Sequence, residues 1–91
     1  MARVKFTRHL VRFFPDLTDN TAVSGQTVTE IVAALDEKHP GLAAYIVNER
    51  GALRRHVNIF IGKELIRDRE QLQDAVAEDD QIYIFQALSG G

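Results

Sequence analysis

One amphipathic helix set between alternating segments leaves this chain few ways to fold. Thr27-Val28-Thr29-Glu30 has the Thr-x-x-Glu form of a capping box, in which the threonine oxygen accepts an orphan N–H and the glutamate reaches back to the cap. Val28, Ile31, Val32 and Leu35 then recur at i, i+3, i+4 and i+7, an apolar stripe that must lie on a core, while Glu30, Asp36, Glu37 and Lys38 face water. His39-Pro40-Gly41 stops the helix, because proline disfavours α geometry in the residue before it and glycine relieves the turn. Residues 42–47 have room for a second, short helix at most.

The segments around this helix read as strands. Residues 3–8 alternate with Val4 and Phe6 facing inward, and Leu17 and Val23 supply a short second strand within a stretch rich in Asp, Asn, Thr and Ser. Asn48-Glu49-Arg50-Gly51 forms a turn, and residues 56–61 form the third strand with Val57, Ile59 and Ile61 on one face. Gly62-Lys63-Glu64 is a tight connection to Leu65 and Ile66. Residues 68–80 are charged and pinned by Leu72 and Val76, and residues 81–86 form the last strand. The order ββαβ(β)β with one long helix predicts an α+β domain, a mixed four- to five-stranded sheet packed on one face by that helix.

Composition excludes whole classes of chemistry. The 91 residues make one domain, expected over residues 1–87 with a flexible tail at 88–91. A net charge of -2 gives none of the basic stripe that replaces counterions on phosphates, so no nucleic-acid partner is expected. No apolar run of membrane-spanning length and no secretion-signal pattern is present, which predicts a cytoplasmic protein without a membrane partner. Cysteine is absent, which removes disulfides, thiolate metal sites and a thiol nucleophile. His9, His39 and His56 lack the i, i+3 or i+4 spacing of helical metal ligands, so no metal and no bound cofactor are expected.

The chemistry concentrates at residues 87–91, Ala-Leu-Ser-Gly-Gly. At ordinary glycine usage a terminal glycine pair arises by chance in roughly one chain in 200. Glycine suits a carboxylate that must thread into another protein's active site, because it lacks a Cβ and lets the backbone approach a nucleotide closely. Extended, these residues reach about 17 Å from the body. A free carboxylate is a poor electrophile, so transfer chemistry at Gly91 requires conversion to a mixed anhydride, for which ATP and an adenylating partner are the natural source.

A family resemblance rests on these motifs taken together. Gly25-x-Thr27-Val28-x-Glu30-Ile31, His56-Val57-Asn58-Ile59-Phe60-Ile61, Asp79-Asp80-x-Ile82-Tyr83-Ile84 and Leu88-Ser89-Gly90-Gly91 resemble, in this order, the MoaD/ThiS family of ubiquitin-like sulfur carriers. The resemblance implies a ubiquitin-like β-grasp fold and adenylation of the Gly91 carboxylate by an E1-like enzyme of the MoeB/ThiF type. It further implies a thiocarboxylate that receives sulfur from a donor and passes it to a sulfur-accepting synthase. Leu88, Ser89 and Gly90 would give access to Gly91, and ATP would be used by the activating partner. Residues 8–16 depart from the Arg-Glu-Leu-Ala-Gly loop common in MoaD proteins.

Strand alternation adds a second expectation. With Val57, Ile59, Ile61, Ile82 and Ile84 toward the helix, Phe60, Tyr83 and Phe85 stand on the open face, where an aromatic cluster is a docking patch for a partner. Arg54-Arg55 reads as solvated surface beside a turn and Phe13-Phe14 as packing, so neither is assigned a site. The functional expectation is a sulfur carrier for a sulfur-containing metabolite such as molybdopterin, thiamine or cysteine. The alternatives are a ubiquitin-like modifier joined through Gly91 to lysines, the small subunit of molybdopterin synthase, and an interaction module with an idle tail.

Overall fold

The computed structural model describes residues 2–6 and 21–86. In chain order they form β1 (Ala2–Phe6), β2 (Thr21–Val23), α1 (Val28–Lys38), α2 (Leu42–Ile46), β3 (Val57–Ile61), β4 (Glu64–Leu65) and β5 (Gln81–Gln86). The expected extension of the first strand to residues 7 and 8, Leu17 of the second, Phe13-Phe14 and the departing segment 8–16 lie outside the described residues. Within these limits the expected order holds, and the bracketed strand is present as β4. The third strand starts one residue later than expected, because His56 belongs to a turn closed by the Val57 N–H donating to the Arg54 carbonyl at 3.0 Å.

The sheet has five strands in the order β2-β1-β5-β3-β4. β1 and β5 run parallel at its centre, and the β1/β2, β5/β3 and β3/β4 pairs are antiparallel. Two parallel neighbours need a crossover, and α1 lies in it, covering one face. This is the ubiquitin-like β-grasp architecture.

Helix α1 is placed by its apolar stripe. Val28, Ile31, Val32 and Leu35 are all buried, each worth about 1.5–3 kcal/mol in transfer from water. They pack with Val4, Val57, Ile59, Ile82 and Ile84 from the sheet and with Leu42 and Ile46 from α2. Gly25 allows the approach to the helix, since a Cβ there would sit 3.0 Å from Ile31 Cδ1 and 3.1 Å from Ile31 N.

The first turn of α1 differs from the expected capping box in one bond. Thr27 Oγ1 accepts from the Glu30 N–H at 3.3 Å as expected. The Glu30 carboxylate, however, takes the N–H of Gln26 at 3.1 Å, one residue before the cap. Thr27 is engaged in an antiparallel bridge with Ala75, so the segment after β4 does part of the capping. The Val28 N–H donates to the Asp74 carbonyl at 3.1 Å and the Thr29 N–H to that of Leu72 at 2.9 Å. The N–H groups of Val28, Thr29 and Glu30, three of the orphans at the helix start, are thereby satisfied, two of them by a strap more than forty residues away in sequence.

The strap is organised by two carboxylates. Asp68 accepts from the N–H groups of Glu70, Gln71 and Gln73 at 3.1, 2.9 and 3.2 Å. Asp74 accepts from those of Arg67 and Asp68 at 3.0 and 2.7 Å. Between them Leu72 takes a left-handed backbone with φ 55°, an uncommon state for a side-chain-bearing residue. Its side chain is buried, so burial and the surrounding hydrogen bonds hold it there.

Candidate docking face and C-terminal site

The face of the sheet opposite α1 carries the predicted aromatic residues. On β3 and β5 the helix side takes Val57, Ile59, Ile82 and Ile84, all buried, and Ile61, half-buried. The opposite side takes Phe60 and Tyr83, half-buried, and Phe85, 43% exposed. The expected strand phase is correct, and the three rings meet. Phe60 and Phe85 pack edge to face with centroids 5.7 Å apart, and Tyr83 stacks on Phe85 at 6.2 Å with the planes 4° apart. Both arrangements suit the ring quadrupoles.

Two further residues belong to this face. The register pairs Lys5 with Tyr83, Tyr83 with Phe60, and Phe60 with Leu65, so these four form one row across β1, β5, β3 and β4. Leu65 is 46% exposed, and the Lys5 ammonium sits 5.7 Å from the Tyr83 ring centroid, a cation–π distance. Leu65 had a sequence signal: a two-residue Gly62-Lys63 loop places residue 65 opposite residue 60. Gly62 has φ 64°, the left-handed geometry that such loops assign to glycine. Lys5 had none, since the parallel β1/β5 register is not written in either strand. The Tyr83 hydroxyl donates to Gln81 Oε1 at 2.8 Å, which holds the ring along its own strand.

An apolar patch with a cation at one end suits capture of a protein surface. Of its aromatic rings, the kind of side chain enriched at binding hot spots, Tyr83 and Phe60 lie in the middle of the row. β5 carries two of them and leads directly to residues 87–91. Leu88, Ser89, Gly90 and Gly91 lie outside the described residues. Among the described residues, no group of three or more His, Asp or Glu side chains is placed to hold a metal ion, and no helix is long and apolar enough to cross a membrane.

Comparison with known proteins agrees with this geometry. The sequence model of the ThiS family matches residues 5–91. The chain is 28% identical over 74 residues to the sulfur carrier protein CysO of Mycobacterium tuberculosis, spanning 79% of this chain and 80% of that protein. Its fold superposes on a chain of the BexX/CysO complex of Amycolatopsis orientalis with a TM-score of 0.86, covering 100% of both chains at 26% identity. The small archaeal modifier protein 1 of Methanosarcina acetivorans matches with a TM-score of 0.77 at 27% identity, over 99% of this chain and 95% of that one.

Proposed function

This chain belongs to the ThiS family and is a sulfur-carrier protein, and from that premise we propose that its reacting group is the Gly91 carboxylate. The match of the family model over residues 5–91 carries this reading, because it spans the sheet, the helix and the glycine pair together. The protein is the substrate of the chemistry rather than its catalyst. The carboxylate attacks the α-phosphorus of ATP in an E1-like adenylating enzyme, forming an acyl adenylate and releasing pyrophosphate. A hydrosulfide equivalent from a sulfur donor then attacks the activated carbonyl, AMP leaves, and Gly91 becomes a thiocarboxylate that delivers sulfur to an accepting synthase.

Phe60, Tyr83 and Phe85 dock the adenylating enzyme in this reading, with Leu65 and Lys5 extending the surface. Each ring that buries on the order of 100 Å² contributes about 2.5 kcal/mol by transfer, before the costs of association. Docking there fixes the root of the tail while Leu88, Ser89 and Gly90 pass into the active site.

The test is the intact mass of protein isolated from its host, and again after incubation with the host's adenylating enzyme, ATP, a persulfide donor and a thiol reductant that releases the donor's outer sulfur as hydrosulfide. One oxygen replaced by sulfur at Gly91 is the expected result. Carboxylate alone under both conditions overturns the reading. The likeness to a small archaeal modifier protein favours a second use, in which a lysine amine takes the place of sulfur at the activated carbonyl. A ladder of larger species carrying this chain distinguishes that use.

A further inference from the structure

Among the described residues, the end of the sheet from which the chain continues toward Gly91 is positively charged, and the hydrogen bonds its arginines make there are to uncharged groups. β3 begins at Val57, which pairs with Gln86, the last residue of β5. The turn closed by the Val57 N–H and the Arg54 carbonyl therefore sets Arg54, Arg55 and His56 beside the root of residues 87–91. Arg54 Nε donates to the Ala44 carbonyl at 2.7 Å. Arg69 reaches the same turn from the strap and donates at 3.0 Å to Asn58 Oδ1 and to the carbonyls of Arg54 and Val57. Every acceptor in these bonds is an uncharged amide oxygen, so they hold the guanidiniums in place without neutralising their charge. Arg55 is exposed. Glu49, on the neighbouring turn with Arg50, leaves the cluster net positive.

The opposite end of β5 has the other sign. Glu78, Asp79 and Asp80 precede it, in a turn closed by the Asp80 N–H and the Ala77 carbonyl at 3.1 Å. With Glu64 on β4 they outnumber Arg3 and Lys63 at that end. Among the described residues of a chain of net charge -2, the positive pole thus lies where the tail begins.

We propose that Arg54 and Arg55, braced by Arg69, form a docking collar for a protein partner whose active-site mouth is rimmed with carboxylates, so that electrostatics bring the tail end in first. This rests on the reading of Gly91 as the reacting group. A nucleotide is not the counterpart of the collar. Extended into an active site, residues 87–91 span about 17 Å, roughly twice the screening length of about 8 Å at physiological salt. Phosphates held at Gly91 are then screened from the root of the tail, and the complementary charge must lie on the rim beside it. Charges at a rim act chiefly on association rate and its salt dependence.

Arg55 is the residue to change, since the hydrogen bonds bracing the turn come from Arg54 and Arg69. The association rate constant with the host's adenylating enzyme is measured at low and at high salt. Arg55→Glu is expected to slow association about tenfold or more at low salt and to flatten the salt dependence, with dissociation and the thermal midpoint unchanged. Asp79→Lys, at the opposite end, is expected to leave association as it was. Hydroxylamine capture of activated Gly91 as the hydroxamate, at saturating carrier, should be equal in the wild type and Arg55→Glu. Wild-type association and salt dependence in Arg55→Glu overturn the collar while Gly91 activation stands. Acceleration by Asp79→Lys as large as the slowing by Arg55→Glu also overturns it, because net charge alone would then account for both. A wild type that yields no hydroxamate removes the Gly91 reading and the collar with it.

Discussion

Phe60 and Phe85 meet edge to face across β3 and β5, their ring centroids 5.7 Å apart and their planes at 79°. Both sit on the side of the sheet away from α1, so the pair is available to a partner as a single preformed surface. Replacing either by serine is expected to weaken binding to the adenylating enzyme at least tenfold, about 1.4 kcal/mol. Phe85→Ser should cost little folding stability because Phe85 is 43% exposed. Phe60→Ser should cost somewhat more, since Phe60 is half-buried and an aromatic pair contributes about 0.5–1.5 kcal/mol beyond its area. Calorimetric titration beside a thermal melt checks both, and an unfolded Phe85→Ser with unimpaired binding in residual folded material would remove the docking role.

Asp68 supplies a pH dependence. The Gln71 N–H is the chief group holding its carboxyl below the ordinary value of 3.8; desolvation opposes it, and the N–H groups of Gln73, Glu70 and Leu72 add to it. A carboxylate whose folded value is depressed contributes stability that is complete above the unfolded value, here about pH 4, and lost as pH falls through the folded value. The thermal midpoint of the wild type should therefore drop below about pH 4 more steeply than that of Asp68→Asn, which should start lower at neutral pH. Parallel curves for the two proteins would show that Asp68 does not hold the strap through its charge.

Thr29 ties α1 to the strap, its hydroxyl lying 2.6 Å from the Gln71 carbonyl and 2.9 Å from that of Leu72. Thr29→Val keeps the shape and removes the donor. A loss of about 1 kcal/mol is expected, which lowers the midpoint of a domain this size by about 4–8 °C. Amide exchange at Leu72 and Gln73 should accelerate with it. Unchanged exchange there would mean that Asp68 and Asp74 hold the strap without the helix.

Deleting Gly90 and Gly91 should abolish activation and leave the fold alone, because the last ladder pair of β5 is Gln86 with Val57. The midpoint is expected to stay within about 4 °C of the wild type, less than the effect of 1 kcal/mol. A larger fall would make the tail structural.

What the sequence settled by itself is what local periodicity encodes. The buried stripe of α1 and the two faces of β3 and β5 follow from periods of 3.6 and 2, since a side chain's direction is fixed by its own backbone. The capping threonine was legible for the same reason. The glutamate's actual partner was not, because the bridge between Thr27 and Ala75 spans distant residues. Only the tertiary structure decided that β1 runs parallel beside β5, and that choice puts Lys5 on the Tyr83 ring. It also decided that Arg69 places its guanidinium on the carbonyls of Arg54 and Val57, so that an arginine pair resembling ordinary surface stands at the root of the tail. Register between strands, and the reach of a long side chain to a distant carbonyl, depend on which segments the core brings together. No window of the sequence contains both partners.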